Sequence, residues 1–126
     1  MDDFPDGTLA LARTAAEAIR SLNHTTLGGD GLEQPADACA VLGELSLAAS
    51  RLPQLLEQIG RWLATALAAG RLSCDDGTGP ACAVSGAWIF ISGARGSAAA
   101  LAGNLSQAQQ QLAPVNGRPS RKEARS

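Results

Sequence analysis

The chain has 126 residues, 45% of them apolar, enough for one domain with its own core but hardly for two. Its formal charge of −2 argues against a nucleic-acid-binding domain, which carries a basic face on its folded part. Ala and Leu dominate, Tyr is missing, and Phe4, Trp62, Trp88 and Phe90 are the only aromatics, so any core is built from small aliphatic side chains. Such a composition favours closely packed helices over a sheet, which needs more β-branched and aromatic residues.

The expected fold is all-α. The segment DGTLALARTAAEAIRSLNH offers Asp6 or Thr8 as an N-cap, followed by an apolar face through Leu9, Ala12, Ala15, Ile19 and Leu22. It predicts a first helix over about 7–25. The glycines Gly28, Gly29 and Gly31 then mark a loop. Pro35 suits the first turn of the next helix, and Asp37 puts a negative charge at the positive end of its dipole.

The second helix, about 36–70, is the longest. Ala38, Leu45, Leu52, Ile59 and Ala66 recur seven apart, with Val41 and Leu42, Ala48 and Ala49, Leu55 and Leu56, Trp62 and Leu63, and Ala69 between them, which is the pattern of a helix packed along its length against other helices. Pro53 interrupts it, because its ring clashes with the carbonyl of Ala49 and one hydrogen bond is lost, at ~3 kcal/mol. Either the helix is kinked near 49–53 or it breaks there; the unbroken heptad phase favours the kink. Gly70 is a helix stop, and SCDDGTG is a turn.

The third helix spans about 80–113. Val84, Ile91, Ala98, Leu105 and Leu112 form one row and Ala87, Ala94, Leu101 and Ala108 the other. The helix reading is weakest at AWIFIS, which is β-like in composition, and at Gly86, Gly93, Gly96 and Gly103, each costing about 1 kcal/mol relative to Ala. Arg95 interrupts the apolar run too early for a membrane span.

The whole is a long antiparallel helical hairpin with a shorter N-terminal helix, three helices or four if Pro53 is a break, bundle or coiled-coil-like. It forms one helical domain over 1–114, followed by a disordered polar and basic tail over 115–126. In an antiparallel hairpin turning at 73–79, facing residue numbers total about 150, which sets Ile59 against Ile91 and Leu52 against Ala98. The first helix is long enough to cover only half of the hairpin. The half left over holds Leu55, Leu56, Ile59, Trp62, Leu63, Trp88, Phe90 and Ile91. An apolar patch that a monomer leaves uncovered marks an interface.

The signals for chemistry are thin. His24 is the sole histidine and reads as a helix-terminal cap, so a Ser–His–Asp arrangement has only one residue on which to rest. Cys39, Cys74 and Cys82 lack zinc spacing, and Asp75 and Asp76 beside Gly77 fit turn chemistry better than a calcium loop. Glu57, Arg61 and Arg95 lie beside the seams and are expected to form a charged rim. Arg118, Arg121, Lys122 and Arg125 are the residues that would touch nucleic acid, although a short basic end is more often merely solvated.

The segments LARTAAEAIRSLNHTTL and LAASRLPQLLEQIGRWL resemble small Ala/Leu-rich helical proteins of high-GC actinobacteria, and the resemblance carries no activity. The N-terminus MDDFPDG lacks the basic and apolar regions of a secretory signal. The expectation is a cytoplasmic, non-enzymatic interaction protein without cofactor. Its partner is a second copy of itself or another helical protein.

Overall fold

The computed structural model describes residues 6–28 and 31–118. Three helices occur among them: α1, Asp6–Leu27; α2, Pro35–Ala68; and α3, Ala81–Leu112. The chain divides into two units. One holds α1, the start of α2 and the last described residues; the other is Cys39–Val115.

In the first unit, α1 extends two residues beyond the predicted end. Thr26 donates its hydroxyl hydrogen bond to the carbonyl of Leu22 at 2.8 Å, so the Thr25-Thr26 pair continues the helix instead of closing it. The start of α2 is fixed by Asp37. Its carboxylate accepts backbone N–H bonds from Gln34 at 2.9 Å and Glu33 at 3.0 Å, reaching back over donors that have no helical partner. Those bonds hold the carboxyl below the ordinary carboxylate range, the Gln34 contact first.

The second unit is the hairpin. α2 runs through Pro53 as one helix, so the reading with a break and a fourth helix is set aside. Pro53 lies half-buried in the line of α2 residues that faces α3, and heptad phase continues on both sides of it. Packing along both halves therefore offsets the single hydrogen bond lost at the ring. The end of α2 follows its glycine. Gly70 takes φ of 71° while its N–H bonds the carbonyl of Leu67 and that of Arg71 bonds the carbonyl of Ala66. This pair of bonds terminates a helix by satisfying its last carbonyls.

The connection to α3 is built by Asp76, whose carboxylate accepts from the N–H of Thr78 at 3.0 Å and from its hydroxyl at 2.7 Å. Both bonds, the hydroxyl's first, hold that carboxyl below its usual range. Gly77 supplies the positive φ that this turn needs. Asp76 thus has turn chemistry, as expected. The AWIFIS stretch is helical despite its composition, within the unbroken run of α3. Among the described residues no helix is long and apolar enough to cross a membrane.

Facing pairs across the hairpin obey the expected pairing. Ser46 Oγ donates to the carbonyl of Ala102 at 2.8 Å, Gln109 Nε2 donates to the carbonyl of Cys39 at 3.2 Å, and Trp88 lies against Gly60. Each of these pairs falls within two of the total of 150. The rows that meet are partly different from those expected. On α3, Val84, Ile91, Ala98, Leu105 and Leu112 do form one half-buried or buried row, but the second is Trp88, Arg95, Ala102 and Gln109. On α2 the facing positions are Leu42, Ala49, Leu56 and Leu63 with Ser46, Pro53, Gly60 and Leu67.

The hairpin glycines differ in what surrounds them. A β-carbon on Gly93 or Gly96 would meet nothing within 4 Å, whereas one on Gly60 would fall inside the Trp88 ring. Gly60 is where the helices need a missing side chain.

Candidate interaction surface

The hairpin has two sides, and heptad phase assigns residues to them. From the α2–α3 seam, one side of α2 carries Leu45, Leu52 and Ile59, with Ala66 continuing the row but fully buried, then Ala48, Leu55, Trp62 and Ala69. The other presents Gly43, Ser50, Glu57 and Ala64, then Leu47, Gln54, Arg61 and Ala68. The matching rows of α3 are Ala87, Ala94, Leu101 and Ala108 with Phe90, Ser97 and Asn104 on the first side, and Ser85 with Ile89 on the second.

The first side carries no charged residue from level 45 to level 69 of α2, nor on the facing rows of α3. It carries large apolar side chains in the open. Phe90 is 80% exposed and Trp62 57%, and Leu52, Leu55, Ile59 and Leu101 are exposed as well. Helical surfaces facing water are normally laced with charge, so a stripe this long without one is a departure from the ordinary pattern. Only Arg71, from beyond the helix end, reaches it: its guanidinium stands 5.8 Å from the centre of the Trp62 ring, within cation–π range.

The residues singled out as an interface are therefore divided by the structure. Leu55, Ile59, Trp62 and Phe90 share the charge-free side, exposed. Leu56, Leu63 and Ile91 are half-buried where α2 meets α3. Trp88 covers Gly60 and borders the opposite side, away from Trp62. Leu52 and Leu101 belong with the exposed group, although the heptad pattern assigns both to the seam between the helices. The signal that separates them is the spacing of the small residues Ser46, Pro53 and Gly60, which marks the true line of closest approach.

The second side holds the charges. Glu57 accepts from Arg61 Nη2 at 2.7 Å and from Arg95 Nη2 at 3.5 Å, so two guanidiniums share one carboxylate. The expected charged rim exists. Arg95 Nε within it is enclosed and has no hydrogen-bond partner. Next to this cluster, towards the turn, a groove of 560 Å³ opens between α2 and α3.

Burial completes the description. The buried residues among those described are Ala49, Gly60, Ala66 and Ala98, all in the hairpin and all small. Two helices make one seam, and only small side chains at its centre are enclosed on every side; larger ones need a further helix above or below. No group of three or more His, Cys, Asp or Glu positioned for a metal occurs among the described residues. Arg118 is exposed, while Arg121, Lys122 and Arg125 lie outside the described residues.

No family model matches this chain, and no curated protein or solved structure matches it.

Proposed function

We propose that the chain is a non-enzymatic interaction module that self-associates, two copies meeting on the charge-free side of the hairpin in a four-helix contact. The observation that carries this reading is the exposure of Leu52, Leu55, Ile59, Trp62, Phe90 and Leu101 on one uncharged side. Together they leave apolar surface on the order of 500 Å² open to water, at the upper end of what a monomer shows as one patch. With the alanines between them, the area approaches the ~800 Å² per partner of a stable interface.

A second copy is the simplest occupant, because a uniform apolar stripe is complementary to itself under a two-fold axis. It would also supply the third and fourth helices that a two-helix seam lacks. Another protein's amphipathic helix, acting on the same side as an adaptor's partner, is the competing occupant. Cytoplasmic residence, with Cys39, Cys74 and Cys82 as free thiols, fits either.

Light scattering on the purified chain tests the reading. A dimer that dissociates on Ile59→Asp while keeping its helical circular dichroism is the expected result. A wild-type chain that stays monomeric across micromolar concentrations overturns self-association and leaves the hetero-partner reading in its place.

A further inference from the structure

We infer that the uncharged face of α1 is a second self-contact, at which α1 of one copy lies antiparallel against α1 of another. This goes beyond the hairpin reading, because it uses the other unit of the chain and a different set of residues.

Heptad phase along α1 places Thr8, Leu11, Ala15, Ala18, Leu22 and Thr25 in one row. Arg13, Glu17, Arg20 and His24 lie on the opposite face, where Arg20 pairs with Glu17 at 3.3 Å. The flanks of the row are Ala12, Ile19 and Thr26 on one side and Thr14 and Ser21 on the other, none of them charged. The face stands open: Leu11 is 72% exposed and Ile19 48%, and of residues 7–27 Leu22 alone is half-buried. A helix in water draws most of its stability from packing of its apolar face, and along the 22 residues of α1 that face has almost no cover.

The order of the row names the occupant. Thr-Leu-Ala-Ala-Leu-Thr reads the same in both directions, so a two-fold axis across the helix sets Thr8 opposite Thr25, Leu11 opposite Leu22 and Ala15 opposite Ala18. Leucine then meets leucine on either side of the centre, and the alanines between them let the helices approach closely. The antiparallel order also sets the two helix dipoles against each other, positive end beside negative end. Thr14 already donates its hydroxyl hydrogen to the carbonyl of Ala10 at 2.9 Å, so covering that flank strands no donor. The backbone of Gly31 lies against Thr25, so the contact rests on Leu11, Ala15, Ala18 and Leu22. It stays well below the ~800 Å² per partner of a stable interface, and by itself it pairs the chains weakly, above micromolar concentrations.

The experiment is disulfide trapping in the full chain, with Cys39, Cys74 and Cys82 replaced by serine and one new cysteine introduced by Leu11→Cys or by Leu22→Cys. Circular dichroism first checks that helical content is kept; non-reducing gels after mild oxidation then compare each variant alone with an equal mixture of the two. In the antiparallel pair a thiol at position 11 stands beside one at position 22, whereas two thiols at the same position stand ~16 Å apart, beyond the ~7 Å limit for a disulfide. The expected yield of linked dimer from the mixture is therefore at least about tenfold that from either variant alone. A mixture of Arg13→Cys and Arg20→Cys, on the opposite face, should link no better than either alone. Adding Ile59→Asp to both chains should slow the linkage without changing which pair links, so failure of the hairpin contact is read separately, from the mass of the unlinked chain. The inference is overturned by equal yields from either variant alone, which mark a parallel or random contact, by linkage of the Arg13 and Arg20 positions as ready as that of the Leu11 and Leu22 positions, or by a mixture that does not link.

Discussion

Replacing Gly60 by alanine places a methyl group where the Trp88 ring now lies, with no room for both. A ring is not the yielding end of a flexible chain, so Trp88 must swing out or α2 and α3 must separate. Trp88 is 39% exposed, so it hides roughly three-fifths of its surface. For an aromatic burying ~150–250 Å² in full, ejection returns about 100–150 Å² to water, and at ~25 cal/mol per Å² this costs about 3 kcal/mol. Alanine recovers about 1 kcal/mol of helix propensity, for a net loss of about 2 kcal/mol. Urea unfolding followed by far-ultraviolet circular dichroism, at one fixed protein concentration, measures it. Gly96→Ala is the matched control: its methyl group meets nothing within 4 Å, so it should raise stability by up to about 1 kcal/mol. A Gly60→Ala protein as stable as the wild type would refute the claim that the helices are held in register by Trp88 over Gly60.

The other substitutions separate the two sides of the hairpin. Trp88→Ala should lower unfolding stability by about 2–3 kcal/mol and leave the molecular mass in solution unchanged, as read by melting and light scattering together. Trp62→Ala should do the reverse, weakening self-association by about 2 kcal/mol in a dilution series with helical content preserved. Asp37→Asn should destabilise the chain near neutral pH, because a carboxyl held low in the folded state contributes stability above its unfolded value and loses it as pH falls through the folded one. The gap between Asp37→Asn and wild-type melting temperatures should therefore be full above about pH 5 and close below the ordinary value of 3.8.

Much of the architecture was legible because helix signals are local. Pro35 and Asp37 open α2, Gly70 closes it, and Asp76 with Gly77 builds the turn, each through a backbone need that only a few residue types meet. Antiparallel pairing followed from the turn's position alone. The faces were harder to read. Counting apolar residues puts Leu52 and Ile59 at the centre of α2's contact, yet both are exposed, and the contact runs through Ser46, Pro53 and Gly60. Two helices approach closely where side chains are small, and large apolar residues are displaced to the flanks. The same effect moved the second row of α3 by one position, to Trp88, Arg95, Ala102 and Gln109, where two polar residues hid the phase. It also separates Trp62 from Trp88, which sequence alone had grouped by their shared distance from the turn.

The central claim is that the uncharged side carrying Trp62 and Phe90 is where two copies meet. Sedimentation equilibrium of the wild-type chain across the micromolar range tests it most directly. The account predicts a species of twice 12.8 kDa that shifts towards the single-chain mass on dilution and is lost in Ile59→Asp. A mass of one chain at every concentration, with helical content intact, would contradict it.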